Sequence, residues 1–159
     1  MTMPTPSLTK GHKKLELFVG NWAGEEKISP SPWDPEGGPA IGRAQNRLAL
    51  NGFAVIQDYE QVRTGSVNLR GHGVIVWNDA EKNYEFHWYD SSGMPPGVFR
   101  GQCENNIFKL TNKSPMGFSK CTFDFSDPDT YIFNLDVSQD GENWATFLQG
   151  KYKKQSAQS

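Results

Sequence analysis

The sequence predicts an all-β protein, an up-and-down antiparallel barrel of about ten strands with one short N-terminal helix. Three observations predict it. Short apolar runs rich in aromatic and β-branched residues follow one another from Asn21 to Tyr152, the composition that suits a pleated, half-buried surface. Turn-forming pairs separate them: Asn51-Gly52, Thr64-Gly65, Asn105-Asn106 and Asp140-Gly141. No crossover helix intervenes, so neighbours pair as hairpins, and closing the sheet removes its exposed edges.

The bulk composition agrees. The chain has 159 residues, enough to bury a self-sufficient core, and reads as a single domain over 1–159 with an ordered core at about 10–153. Aromatics reach 13%, with five Trp and ten Phe, which again favours strands over helices. Lys plus Arg number 16 against 18 for Asp plus Glu, a formal net charge of −2. That leaves no basic excess to neutralise a phosphate backbone, so nucleic acid is not an expected partner. The stretch from Met1 to Lys14 is polar and lacks the apolar centre of a signal peptide. No apolar run reaches the roughly 18 residues of a membrane span. The expectation is a soluble cytoplasmic protein, away from membranes, as a monomer or homodimer.

Taken in order, Gly11 to Val19 sets Leu15, Phe18 and Val19 among Lys13, Lys14 and Glu16, a spacing for one or two turns of amphipathic helix. Its Leu/Phe stripe suits a plug for one end of the barrel. The first strand runs Asn21–Ile28 and is ended by Ser29-Pro30-Ser31-Pro32-Trp33-Asp34-Pro35-Glu36-Gly37-Gly38-Pro39, whose prolines deny both helix and central strand. Trp33 in this long loop is either a lid over a cavity mouth or a side chain pinning the loop to the surface. Strands then follow at Ile41–Leu50, Phe53–Arg63, Ser66–Trp77, Asn83–Asp90, Gly97–Glu104, Ile107–Asn112, Ser119–Phe125, Thr130–Ser138 and Trp144–Tyr152. Cys103 and Cys121 fall two strands apart, about 10 Å at about 4.8 Å per step, too far for a disulfide. Both are expected as buried, reduced thiols.

The hairpin over 66–90 constrains the interior most. A four-residue loop at Asn78-Asp79-Ala80-Glu81 sets Trp77 opposite Lys82. One face then holds Leu69, Gly71, Gly73, Ile75 and Trp77 beside Tyr84, Phe86, Trp88 and Asp90; the glycines leave room for the large rings. This face is assigned to the interior. On the outer face His72 and His87 become direct cross-strand neighbours, solvated or in a dimer contact. Two imidazoles fall short of the three or four ligands of a metal site. Asp90 points inward, either as a partnered carboxylate of a functional site or as the cap of the loop Ser91–Gly97. On the first strand Glu26 shares the side of Trp22, and Arg43, Arg47 and Arg100 are its candidate cationic partners.

Phe18-Val19-Gly20-Asn21-Trp22 resembles the calycin superfamily, whose lipocalins and fatty-acid-binding proteins carry Gly-x-Trp on the first strand. The fuller order Gly20-x-Trp22-x-Gly24-Glu25, Asn51-Gly52 before Gln57-Asp58-Tyr59, Gly71-x-Gly73 and His87-Trp88-Tyr89-Asp90-Ser91-x-Gly93 resembles the lipocalin-like domain of unknown function 1579 family, over about residues 10–153. The resemblance implies a barrel with an interior pocket and names neither ligand nor catalytic residue. Two departures narrow it. Fatty-acid-binding proteins hold a carboxylate with Arg-x-Tyr on the last strand, where this chain has Gly150-Lys151-Tyr152-Lys153. Nitrobindins hold haem by a histidine near the C-terminus, and the last histidine here is His87.

No nucleophile elbow, P-loop, dinucleotide-binding or metal-ligand pattern is present, so neither catalytic residues, cofactor nor metal is assigned. The expected function is binding of a small hydrophobic or amphipathic molecule inside the barrel, by Trp22, Glu26, Tyr59, Phe86, Trp88, Asp90, Arg100 and Phe133. The alternatives are an enzyme centred on Glu26, Tyr59 and Asp90, and a ligand-free structural or oligomerising barrel whose interior is filled by Trp22, Phe86, Trp88 and Phe133.

Overall fold

The computed structural model describes residues 6–32 and 34–156. A short helix, α1 (Lys10–Lys14), runs into a 3-10 turn at Leu15–Phe18. Ten strands follow among the described residues: β1 (Gly20–Ile28), β2 (Gly38–Ala49), β3 (Ala54–Arg63), β4 (Ser66–Asn78), β5 (Asn83–Asp90), β6 (Gly97–Glu104), β7 (Ile107–Ser114), β8 (Gly117–Asp124), β9 (Thr130–Ser138) and β10 (Ala145–Lys154). Each pairs antiparallel with its successor, and β1 closes on β10 from Trp22 opposite Lys154 to Ile28 opposite Leu148. The sheet is a closed barrel, as the succession of hairpins predicts.

The helical stretch starts and ends one residue earlier than Gly11–Val19: it opens at Lys10, and Val19 has extended geometry (φ −68°, ψ 131°) and starts the descent into β1. Its buried stripe is as expected, with Leu15 and Phe18 both 0% exposed. The Phe18 ring meets Phe108, Phe123 and Phe125 edge-on at 4.8, 5.1 and 4.8 Å. Edge-to-face packing of this kind adds to the area the rings bury. The plug is tied by polar contacts too. The Phe18 carbonyl accepts from Trp22 Nε1 at 3.0 Å and from Asn46 Nδ2 at 2.9 Å, so β1 and β2 both hold the end of the 3-10 turn. On the far wall the Tyr84 hydroxyl donates to the Gly11 carbonyl at 2.8 Å.

The β4–β5 hairpin differs from expectation by two residues. Trp77 faces Tyr84 and Asn78 faces Asn83. Asn78 is drawn into the strand because its Oδ1 accepts the Glu81 N–H at 3.0 Å while its Nδ2 donates to Glu85 at 3.0 Å. Lys82, at φ 55°, closes the turn. A slide of two keeps every side chain on its face. The interior assignment therefore stands, and a Cβ on Gly71 or Gly73 would lie 2.1 Å from the Trp88 ring or 2.4 Å from the Phe86 ring. The histidines separate instead: His72 faces Tyr89 and bonds Asp58 at 2.8 Å, and His87 faces Val74 and bonds Glu85 at 3.1 Å. Cys103 and Cys121 lie on β6 and β8, both free; Cys121 is buried, but Cys103 is only half-buried.

The proline-rich loop after β1 is anchored at its far side. Arg63, at the end of β3, bonds both the Asp34 carboxylate and the Gly37 carbonyl, and the second Asp34 oxygen accepts the Gly37 N–H at 3.0 Å. Trp33 lies outside the described residues. The hydrogen bond from Arg63, then that from Gly37, hold the Asp34 carboxyl below its ordinary value of 3.8. A depressed pKa stabilises the contact above that value and loses it as acid protonates the carboxylate.

Two outcomes check this account. Phe18→Ala removes a ring with no exposure and is expected to cost about 4 kcal/mol of stability, read from the denaturant midpoint. Asp34→Asn, at constant neutral pH, is expected to speed amide exchange at Gly37 while leaving the β4–β5 ladder protected; wild type should show the same gain over intrinsic exchange only when acidified below the ordinary carboxylate range.

Candidate functional site

The inward face changes character along the barrel axis. Toward the plug it is sealed: Val55, Ile75, Phe108 and Leu110 are 0% exposed and Trp22 2%. Toward the opposite end, inward-pointing Tyr59, Leu69, Trp88, Phe99, Phe133 and Leu135 are only half-buried. A side chain that points into a closed barrel yet remains part-exposed is reached by solvent through the open end. The interior is a packed core below and a cup above.

Glu26 forms the floor of that cup. It is 3% exposed, and no cation among the described residues meets it. Its Oε1 accepts from Tyr59 at 2.8 Å and Gln61 Nε2 at 2.8 Å; its Oε2 accepts from Tyr59 at 2.6 Å and from the Tyr152 hydroxyl at 2.5 Å. Buried carboxyl groups need partners of this kind, because the desolvation of an unmet one costs several kcal/mol. The strand that faces it makes the space: a Cβ on Gly42 would stand 2.2 Å from Glu26 Oε2. Burial foremost, and the neighbouring Glu26 carboxylate next, push the Tyr59 and Tyr152 hydroxyls far above the phenol range. Both therefore keep their protons and act as donors at every physiological pH.

Seven of the eight expected residues join one connected set. Trp22 packs on Tyr131 at 4.8 Å, Tyr131 stacks on Tyr152 at 4.7 Å, and Tyr152 donates to Glu26. Tyr59 leans on Trp88 at 5.9 Å, Trp88 on Phe86 at 5.6 Å, Phe86 on Phe123 at 5.7 Å and Phe123 on Phe133 at 4.9 Å. Asp90 combines both of its readings. Its Oδ2 accepts the Trp88 indole N–H at 2.7 Å, which fixes the ring, and its Oδ1 accepts the Ser92 N–H at 2.9 Å, which caps the loop after β5. Arg100 is the correction. It pairs across β5–β6 with Glu85 on the outer face and is 56% exposed there, 3.7 Å from the Glu85 carboxylate. Arg43 likewise faces outward to Glu60 at 3.3 Å, and none of the three candidate arginines reaches Glu26.

Sequence reasoning missed Gln57, Gln61 and Tyr152. A signal existed in β3, where Gln57-x-Tyr59-x-Gln61 repeats polar residues at the period of a strand, so all three share one face. Gln57 is 5% exposed and its amide bonds no other described residue; across the β2–β3 ladder the buried Asn46 Oδ1 has no hydrogen-bond partner among the described residues. Nothing local marks Tyr152, which comes to Glu26 from 126 positions away. The result is a two-sided cup. Glu26, Gln57, Tyr59 and Gln61 make a polar wall, and Phe86, Trp88, Phe99 and Phe133 an aromatic one. Such a cup grips an apolar body and orients a few polar atoms. Burial pushes the Cys121 thiol well above its ordinary value, so that thiol is not an activated nucleophile.

A family model described as a protein of unknown function, DUF1579, matches residues 7–154. Among solved structures, Rv2717c from M. tuberculosis is similar with a TM-score of 0.72 and 13% identity, over 94% of this chain and 100% of that one. The S-type phycobiliprotein lyase CPES from Guillardia theta is similar with a TM-score of 0.60 and 13% identity, over 92% and 93% of the two chains. At these identities the likeness is one of fold. No curated protein matches the chain.

Tyr59→Phe or Tyr152→Phe, each removing one donor from the buried Glu26 carboxyl, is expected to cost about 1–3 kcal/mol in urea unfolding. Because both serve one acceptor, the double variant is expected to depart from the sum of the singles by about 0.5 kcal/mol or more. Additive losses would show that the three groups do not act as a network.

Proposed function

We propose that this chain, which belongs to the DUF1579 family and folds as a lipocalin-like barrel, binds a small, partly apolar molecule in the half-open end of the barrel. The observation that carries the reading is the part-exposure of Trp88, Phe99 and Phe133 although all three point inward. Apolar rings held open to water in a concave site gain free energy from any apolar body that covers them. The polar wall adds orientation. The packed lower half supports the barrel and belongs to stability, which limits the ligand to the upper half.

Catalysis in the same cup is the second reading. It is favoured by one fold neighbour being a phycobiliprotein lyase. Against it stand Tyr59 and Tyr152, whose strongly raised pKa values make them poor proton-transfer groups near neutral pH.

Native mass spectrometry of the purified chain, together with titration by an uncharged solvatochromic dye, tests the binding reading. The expected result is a one-to-one complex, with Trp88→Ala weakening dye binding about ten-fold as befits loss of a buried aromatic anchor. No co-purified mass and no saturable dye binding would leave a purely structural barrel.

A further inference from the structure

The polarity of the cup has a sign. Glu26 lies at its floor and Asp90 at its rim, with the Tyr59 and Trp88 rings between them. Glu26 meets only uncharged donors, Tyr59, Gln61 and Tyr152. Asp90 likewise meets only the Trp88 indole and Ser92. The cations nearby are committed elsewhere. Arg43 and Arg70 both face Glu60 outside, Arg100 faces Glu85 outside, and Arg63, at the mouth, is engaged by Asp34 and the Gly37 carbonyl. Two carboxyl groups and an aromatic wall, with no basic group turned toward them among the described residues, make the electrostatic opposite of a carboxylate clamp.

Resting on the binding reading above, we propose that the cup selects an organic cation, a protonated or quaternary amine on an apolar body, and rejects carboxylates. The ammonium lies against the faces of Tyr59 and Trp88, where the ring quadrupoles attract it, and between the charges of Glu26 and Asp90. The apolar body covers Phe86, Phe99 and Phe133. The Gln57 amide, which bonds no other described residue, is left to meet any hydrogen-bonding group the ligand carries. An anionic head in the same place would face two carboxyl groups, with no basic group turned toward it among the described residues.

The test uses three probes of one shape: 1-naphthylmethylamine, 1-naphthalenemethanol and 1-naphthoic acid, titrated calorimetrically into the full chain at pH 7. The expected order is amine, alcohol, acid, with the amine bound at least about ten-fold tighter than the acid. Glu26→Gln and Asp90→Asn are each expected to shrink the amine-to-acid ratio, the second without touching the buried network, so the result stands even where the first fails to fold. Alcohol binding with an amine no tighter than the acid overturns the charge selection and leaves the pocket intact. Binding by none of the three overturns both the charge selection and the binding reading for apolar bodies of this size.

Discussion

The Phe18 carbonyl is the point on which the rest of the barrel depends. A 3-10 turn leaves its last carbonyls without partners within the turn. Here one of them, deep inside the barrel, is met by the Trp22 indole from β1 and the Asn46 amide from β2. That pair of hydrogen bonds to one oxygen sets the depth of the plug, and depth decides which rings Phe18 reaches. A closed barrel has no edge to fray, so its interior is free to differ from one end to the other. The plug makes it differ, with a dry aromatic core on its side and a wet cup on the far side.

The Gly-x-Trp element of the first strand therefore belongs to architecture. Trp22 sits in the sealed half, 2% exposed, and its polar atom faces the plug. It touches the cup only through Tyr131 and Tyr152. Residues that face the ligand space carry no such recognisable word. They come from β1, β3, β5, β6 and β9, one to three from each, and are brought together by closure alone.

Strand alternation made much of this legible. It placed Glu26 beside Trp22, turned Phe86, Trp88 and Asp90 inward, and explained Gly71 and Gly73 as room for rings. What alternation cannot see is a slide by two residues, since faces are preserved; the β4–β5 register escaped for that reason, and with it the supposed contact of His72 with His87. Arg100 was misplaced because β6 alternates too weakly to choose a face: Val98 and Phe99 are adjacent, and either set could turn inward. The partners of Glu26 were hidden by distance along the chain. An inward carboxylate suggests a cation, and β2 offered arginines, yet neutral hydroxyls from β3 and β10 took the role. Tyr152, on the last strand, holds a carboxylate belonging to the protein itself.

A barrel corked at one end has a single doorway. On the proposed binding reading, whatever enters the cup leaves along the path by which it came, past Asp90 and the loop it caps, so a newcomer has no rear entrance from which to push an occupant out. Exchange then proceeds by departure first and arrival second, and the lifetime of an occupant is set by the mouth rather than by the abundance of its rivals. On that reading, the cork that gives the fold its core also makes it a vessel with memory.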